Sequence, residues 1–179
     1  NEMYLDSADI RKNVVSLAKM LGYTPTSARA SNATLSVKVN SVPSTTTSLT
    51  MDKGTVFTTS VNGATYQLVT NQSYAIQPTA GVFQFDNVNI FEGTLVTFKY
   101  TVDSNDVDQK FIIPSSNADT STLKVSIQTS ASDTTTEVYS LANSYSGLTD
   151  ISKSYFLQEG VDERYEVYFG DGVLGKKPV

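Results

Sequence analysis

Between Ile10 and Leu21 the apolar residues recur with helical spacing. Ile10, Val14, Leu17, Ala18 and Leu21 fall at i, i+4, i+7, i+8 and i+11, one stripe on a 3.6-residue period. Asp6 or Ser7 can cap its N-terminus, Asp9 suits the positive end of the dipole, and Lys19 the negative end. Gly22 and Pro25 predict the stop. Burying Ile10, Val14, Leu17 and Leu21 would contribute roughly 6–12 kcal/mol as an upper bound. The stripe is therefore expected to pack, on its own domain or on another subunit.

Beyond Pro25 the period changes to two. Leu35, Val37 and Val39 alternate with Ser36, Lys38 and Asn40, which predicts a strand with one buried face. Val56 to Thr70 reads as a hairpin about Asn62-Gly63, a dipeptide suited to a two-residue turn. Tyr74–Ile76 and Val82–Phe85 are shorter strands. From Thr94 to Val102 the pattern sets Val96, Phe98, Tyr100 and Val102 against Leu95, Thr97, Lys99 and Thr101. Phe111–Ile113, Leu123–Thr129 and Glu137–Ser140 continue the series, and Tyr155–Gln158 with Arg164–Phe169 forms a last hairpin. The expected architecture is mainly β, a β sandwich or twisted antiparallel sheet of about nine or ten strands, with one N-terminal amphipathic helix, α+β overall. Three segments are expected: 1–29 as helix and connector, 30–130 as a β domain, and 131–179 as a C-terminal hairpin segment packed on that domain. The abrupt ends predict a fragment of a larger subunit.

Composition agrees with strands. The 179 residues include 10 Tyr, 8 Phe and no Trp, and only 39% are apolar, with Ser and Thr abundant. A net charge of −5 leaves no electrostatic case for nucleic acid. No apolar run approaches the roughly 20 residues that span a bilayer, so no membrane partner is expected. With no cysteine and no histidine, disulfides, thiolate metal sites, histidine-ligated metals and Ser-His-Asp catalysis are all removed.

Three stretches invite chemistry. Gly170, four residues, then Gly175-Lys176 approximates a phosphate-binding loop. Lys177 stands where Ser or Thr should hold magnesium, and Pro178 blocks the helix that should follow. Gly170, Asp171, Gly172 and Gly175 are better explained as a structural turn closing an aromatic strand. Asp103, Asp106 and Asp108 suggest calcium, but the loop template fails at Val107 and Asp108. A carboxylate pair drawn from Glu159, Asp162, Glu163, Glu166 and Asp171 could serve a glycoside hydrolase, yet no Trp sugar platform exists. No catalytic residue, cofactor, metal or small-molecule substrate is expected. Dense aromatics at Tyr155, Phe156, Tyr168 and Phe169 put one ring on each sheet face at each pair. With Ile10, Val14, Leu17 and Leu21, they are the candidate packing or interface residues.

The segments LDSADIRKNVVSLAKMLGYTPTSARAS (5–31), FEGTLVTFKYTVDSNDVDQKFIIPSSNADTSTLKVSI (91–127) and SYFLQEGVDERYEVYFGDGVLGKKP (154–178) span most of the chain. They resemble the baseplate wedge proteins of contractile-tailed phages, of the T-even gene product six type within the broader baseplate J-like family. The helix followed by Gly-Tyr-x-Pro and the closing Y-F-G-D-G-x-x-G stand in the family's order. The resemblance implies a non-catalytic structural subunit of the virion, assembled in the host cytoplasm. It implies a homodimer or ring that joins other wedge proteins around the tail hub and changes shape on contraction. On the residues alone, the alternative is a β-sandwich adhesion or carbohydrate-binding module, which shares the Ser/Thr-rich strands and acidic charge.

Overall fold

The computed structural model describes residues 4–21, 23, 26–106, 108–160 and 163–178. The predicted helix stop at Gly22 and Pro25, and the candidates Val107 and Asp162, lie outside the described residues. The chain forms two compact units, Ala30–Thr97 and a second made of Asn1–Arg29 with Phe98–Val179. The strand pattern instead predicts 98–130 in one domain with the residues before it.

Within Ala30–Thr97 lie β1 (Asn32–Val39), β2 (Leu49–Met51), β3 (Val56–Val61), β4 (Ala64–Thr70), β5 (Tyr74–Ile76) and β6 (Phe83–Glu92). Four of them form an antiparallel sheet in the order β1-β6-β4-β3, while β2 and β5 pair as a ribbon. Phe85, Val88 and Ile90 make the buried centre. Leu35, Val37, Phe57 and Leu68 of the sheet and Leu49, Met51, Tyr74 and Ile76 of the ribbon pack around it. The expected hairpin turns at Asn62 (φ 52°) and Gly63 (φ 82°), the two left-handed residues that match the twist of the paired strands.

Strand β6 runs well past the Val82–Phe85 expected from the pattern. Leu35 pairs with Val88 and Val37 with Phe85, so Asp86 and Asn87 together oppose Ser36 in a β-bulge. Asn87 takes the left-handed conformation there, at φ 57°. The extra residue shifts the alternation by one. Phe83, Phe85, Val88 and Ile90 are consequently all buried, although their numbers change parity midway.

The other unit holds α1 (Arg11–Met20), β7 (Phe111–Ile112), β8 (Val125–Gln128), β9 (Thr136–Leu141), β10 (Ser154–Glu159) and β11 (Tyr165–Phe169). The five strands form one sheet in the order β7-β11-β10-β9-β8. Unlike the expected antiparallel arrangement, β9 and β10 run parallel, with Ser140 opposite Ser154. Residues 142–153 supply the long crossover that parallel neighbours need. Ile113, Tyr139, Tyr155, Tyr165 and Val167 are the buried core, with Leu123, Val125, Ile127, Leu157 and Phe169 against it. The Phe169 ring meets Phe111 and Tyr139 edge-on, at centroid distances of 5.7 and 5.4 Å.

Two expectations about local structure need correction. Thr94–Val102 forms no ladder despite the regular alternation from Val96 onward. Val96, Phe98 and Tyr100 are exposed, because a strand pattern is stable only where a neighbour's backbone is in register. Tyr100 still reaches β7, its hydroxyl donating to the Ile112 carbonyl and its ring meeting Phe111 edge-on at 5.6 Å. The helix, in turn, does not start from Asp6 or Ser7, which lie in a separate 3-10 turn at Leu5–Ser7. Its first bonds run from Asn13 and Val14 to the Ile10 carbonyl. Among the described residues no helix is long and apolar enough to cross a membrane.

Candidate functional site

The hairpin of β10 and β11 organises the candidate residues. Tyr155 pairs with Phe169 and Phe156 with Tyr168, so the two pairs point to opposite faces. Tyr155 and Phe169 turn into the core, Tyr155 fully buried and Phe169 partly so. They are structural, and the packing surface expected of them is already used within the chain. Phe156 and Tyr168 occupy the other face.

There they meet a residue that the sequence pattern did not single out. Tyr145, from the crossover between β9 and β10, lays its ring over Phe156 with centroids 4.6 Å apart and planes tilted by 31°. Tyr168 stacks on the same Phe156 at 5.2 Å and 21°. The two tyrosine hydroxyls approach to 3.5 Å. Burial, and then the bond with Tyr145, push the Tyr168 phenol above its usual range. Tyr145, Phe156 and Tyr168 with Gln109, Lys110 and Asp171 line a cleft of about 470 Å³. Tyr145 sits among Ser, Asn and Gly with no periodicity around it, so only the crossover's path could bring it here.

At the far end of the hairpin, Glu159 is buried on the core face opposite Tyr165. Arg11 of α1 grips it in a fork, Nε to Oε1 at 3.2 Å and Nη2 to Oε2 at 3.1 Å. Glu163 lies 3.6 Å from the same guanidinium. On the opposite face Glu166 accepts from Gln158 at 2.8 Å and sits 3.6 Å from Lys110. Asp171 accepts from the Val173 and Leu174 amides, both at 2.8 Å, and those bonds lower its pKa. The four described carboxylates considered for glycoside hydrolysis are thus each engaged structurally.

The glycine turn has a definite architecture. A Cβ on Gly170 would lie 2.4 Å from the Gly175 carbonyl carbon and the Leu174 oxygen, so the two limbs touch through bare backbone. Gly172 donates to the Gly175 carbonyl, Gly175 to Thr149 and Lys176 to Ser152, at 3.0, 3.0 and 2.8 Å. With the two amides on Asp171, every backbone N–H from Gly172 to Lys176 is consumed internally. A phosphate cradle needs those same amides to converge on the ligand. The Lys176 ammonium is likewise engaged, 2.6 Å from Glu137, which also holds Lys153 at 3.1 Å.

The acidic stretch behaves similarly. Asp103 accepts from the Asn105 amide at 2.9 Å and Asp106 from the Asp108 amide at 3.0 Å, which makes them turn-closing groups. Among the described residues no cluster of three or more metal-ligating side chains occurs.

The helix stripe is split. Val14, Leu17 and Ala18 are half-buried, whereas Ile10 is 57% and Leu21 75% exposed. Met20 and Tyr23 are exposed beside Leu21. Comparison with family models and with curated proteins returns no match.

Proposed function

We propose that this chain is a non-catalytic structural subunit of a contractile-phage tail baseplate wedge, part of the virion. It would join copies of itself and other wedge proteins around the tail hub. The observation that carries the reading is the N-terminal helix. Its half-buried centre is flanked by exposed Ile10, Met20, Leu21 and Tyr23, an apolar edge of the kind that assembly buries. The resemblance of segments 5–31, 91–127 and 154–178 supplies the particular assembly. A carboxylate-based hydrolase is disfavoured, since Glu159, Glu163, Glu166 and Asp171 already hold protein partners.

Two measurements test this. Tail and baseplate genes are expected on either side of the coding sequence, and a neighbourhood of secretion or polysaccharide genes would overturn the assignment. Light scattering on the chain should show a mass rising with concentration above the 19.4 kDa monomer. The double variant Ile10→Ser, Leu21→Ser should return it to monomer. A monomeric mass throughout would remove the helix as the assembly surface.

A further inference from the structure

The cleft beside the last hairpin has the makings of a ligand site that the structural role does not require. Phe156 is 5% exposed and lies under the Tyr145 ring, so one face of that ring is covered. Tyr145 is nevertheless 53% exposed, which leaves its other face to solvent. A half-exposed ring backed by a buried one is a rigid apolar platform. It keeps its orientation without a ligand, so little side-chain entropy is lost when something stacks on it.

Around the platform the rim is polar and of mixed sign. Asp108 and Asp171 offer carboxylate acceptors, the Lys110 ammonium, 3.6 Å from Glu166, offers donors, and the Gln109 amide can do both. Gln109 is held in place because its Oε1 accepts from the Asp103 amide at 3.0 Å. The cleft volume of about 470 Å³ falls within the roughly 300–1,000 Å³ of small-ligand sites.

Ligand classes can be sorted by this chemistry. An apolar ligand would strand the charged rim without partners. A phosphorylated ligand would meet Asp171, and the neighbouring amides of Gly172 to Lys176 are already spent. A pyranose fits both aspects, because its C–H face stacks on an aromatic ring while its equatorial hydroxyls donate and accept at the rim. The lack of Trp therefore does not remove a sugar platform, since Tyr145 on Phe156 builds one.

We propose that the cleft formed by Tyr145, Phe156 and Tyr168 binds a neutral saccharide of one or two pyranose rings, without turnover. This site is independent of the assembly surface on the helix and stands or falls separately from it.

With no Trp, emission from the chain is tyrosine emission, so binding can be followed directly on the whole protein. The probes are glucose, galactose, N-acetylglucosamine and their β-linked disaccharides, titrated to tens of millimolar and cross-checked by saturation-transfer NMR. At least one should bind saturably with a millimolar or lower Kd. Tyr145→Ala should weaken it by about tenfold or more, and Tyr145→Phe by no more than about threefold. Tyr66→Ala, an exposed tyrosine of the Ala30–Thr97 unit, should leave Kd unchanged. Should Tyr145→Ala disturb the fold by circular dichroism, Lys110→Met carries the test, with a several-fold loss expected. A panel without saturable binding, or a Kd indifferent to the variant tested, overturns the proposal.

Discussion

Gly170 and Gly175 touch where any side chain would collide, and this contact gives the closing glycines their purpose. Gly170→Ala would force a methyl to 2.4 Å from backbone atoms of the opposing limb, which cannot rotate aside. The expected cost is about 3 kcal/mol, the upper part of the overpacking range, read as a lower urea midpoint at unchanged slope. Residue identity made the turn legible: Gly-Asp-Gly after an aromatic strand predicts it, and a failed magnesium position argues against phosphate. What could not be read was the destination of the amides, because Thr149 and Ser152 approach only after the crossover has folded. Tyr145 was hidden for the same reason. No local period marks a loop tyrosine whose partner, Phe156, arrives from a strand.

At the scale of elements, α1 was legible as a helix that should pack, but not what it packs on. Its spacing sets the stripe, but the grip on the sheet comes from Arg11 on Glu159, outside that stripe. The carboxylate is 4% exposed and the arginine 53%, so the pair is worth more than a surface ion pair and less than a fully buried one. Arg11→Ala is expected to cost about 1–2 kcal/mol, with loss of helical signal at 222 nm preceding the sheet transition. An unchanged helical signal would place the anchoring of α1 elsewhere. Strand β6 and the segment Thr94–Val102 show the limits of counting periods. The bulge at Asp86-Asn87 breaks the alternation of a real strand, while the regular alternation from Val96 to Val102 meets no ladder. Alternation reports which face could be buried, and pairing decides whether a strand exists.

For the molecule as a whole, Ala30–Thr97 is one continuous stretch with its own core of Phe85, Val88 and Ile90. That stretch expressed alone should fold, with dispersed amide resonances and a cooperative melt. Phe85→Ala should abolish the melt or lower stability by roughly 3–5 kcal/mol. A disordered spectrum for 30–97 would show that its core needs the remaining chain. The boundary at 97/98 was not legible, because the composition does not change there and the strand pattern runs straight across it.

By itself, the sequence determined the mainly β class, the single helix, the Asn62-Gly63 hairpin and the alternation that splits Tyr155 from Phe156. These follow from local sterics and from periods of two and 3.6, which need no knowledge of distant residues. Only the tertiary structure decided the parallel β9–β10 pair, the two units, the fork between Arg11 and Glu159 and the stacking of Tyr145 on Phe156. Each of these depends on which groups far apart in the chain meet. Long-range pairing is selected by the joint burial of many side chains, and no short window of sequence contains that sum.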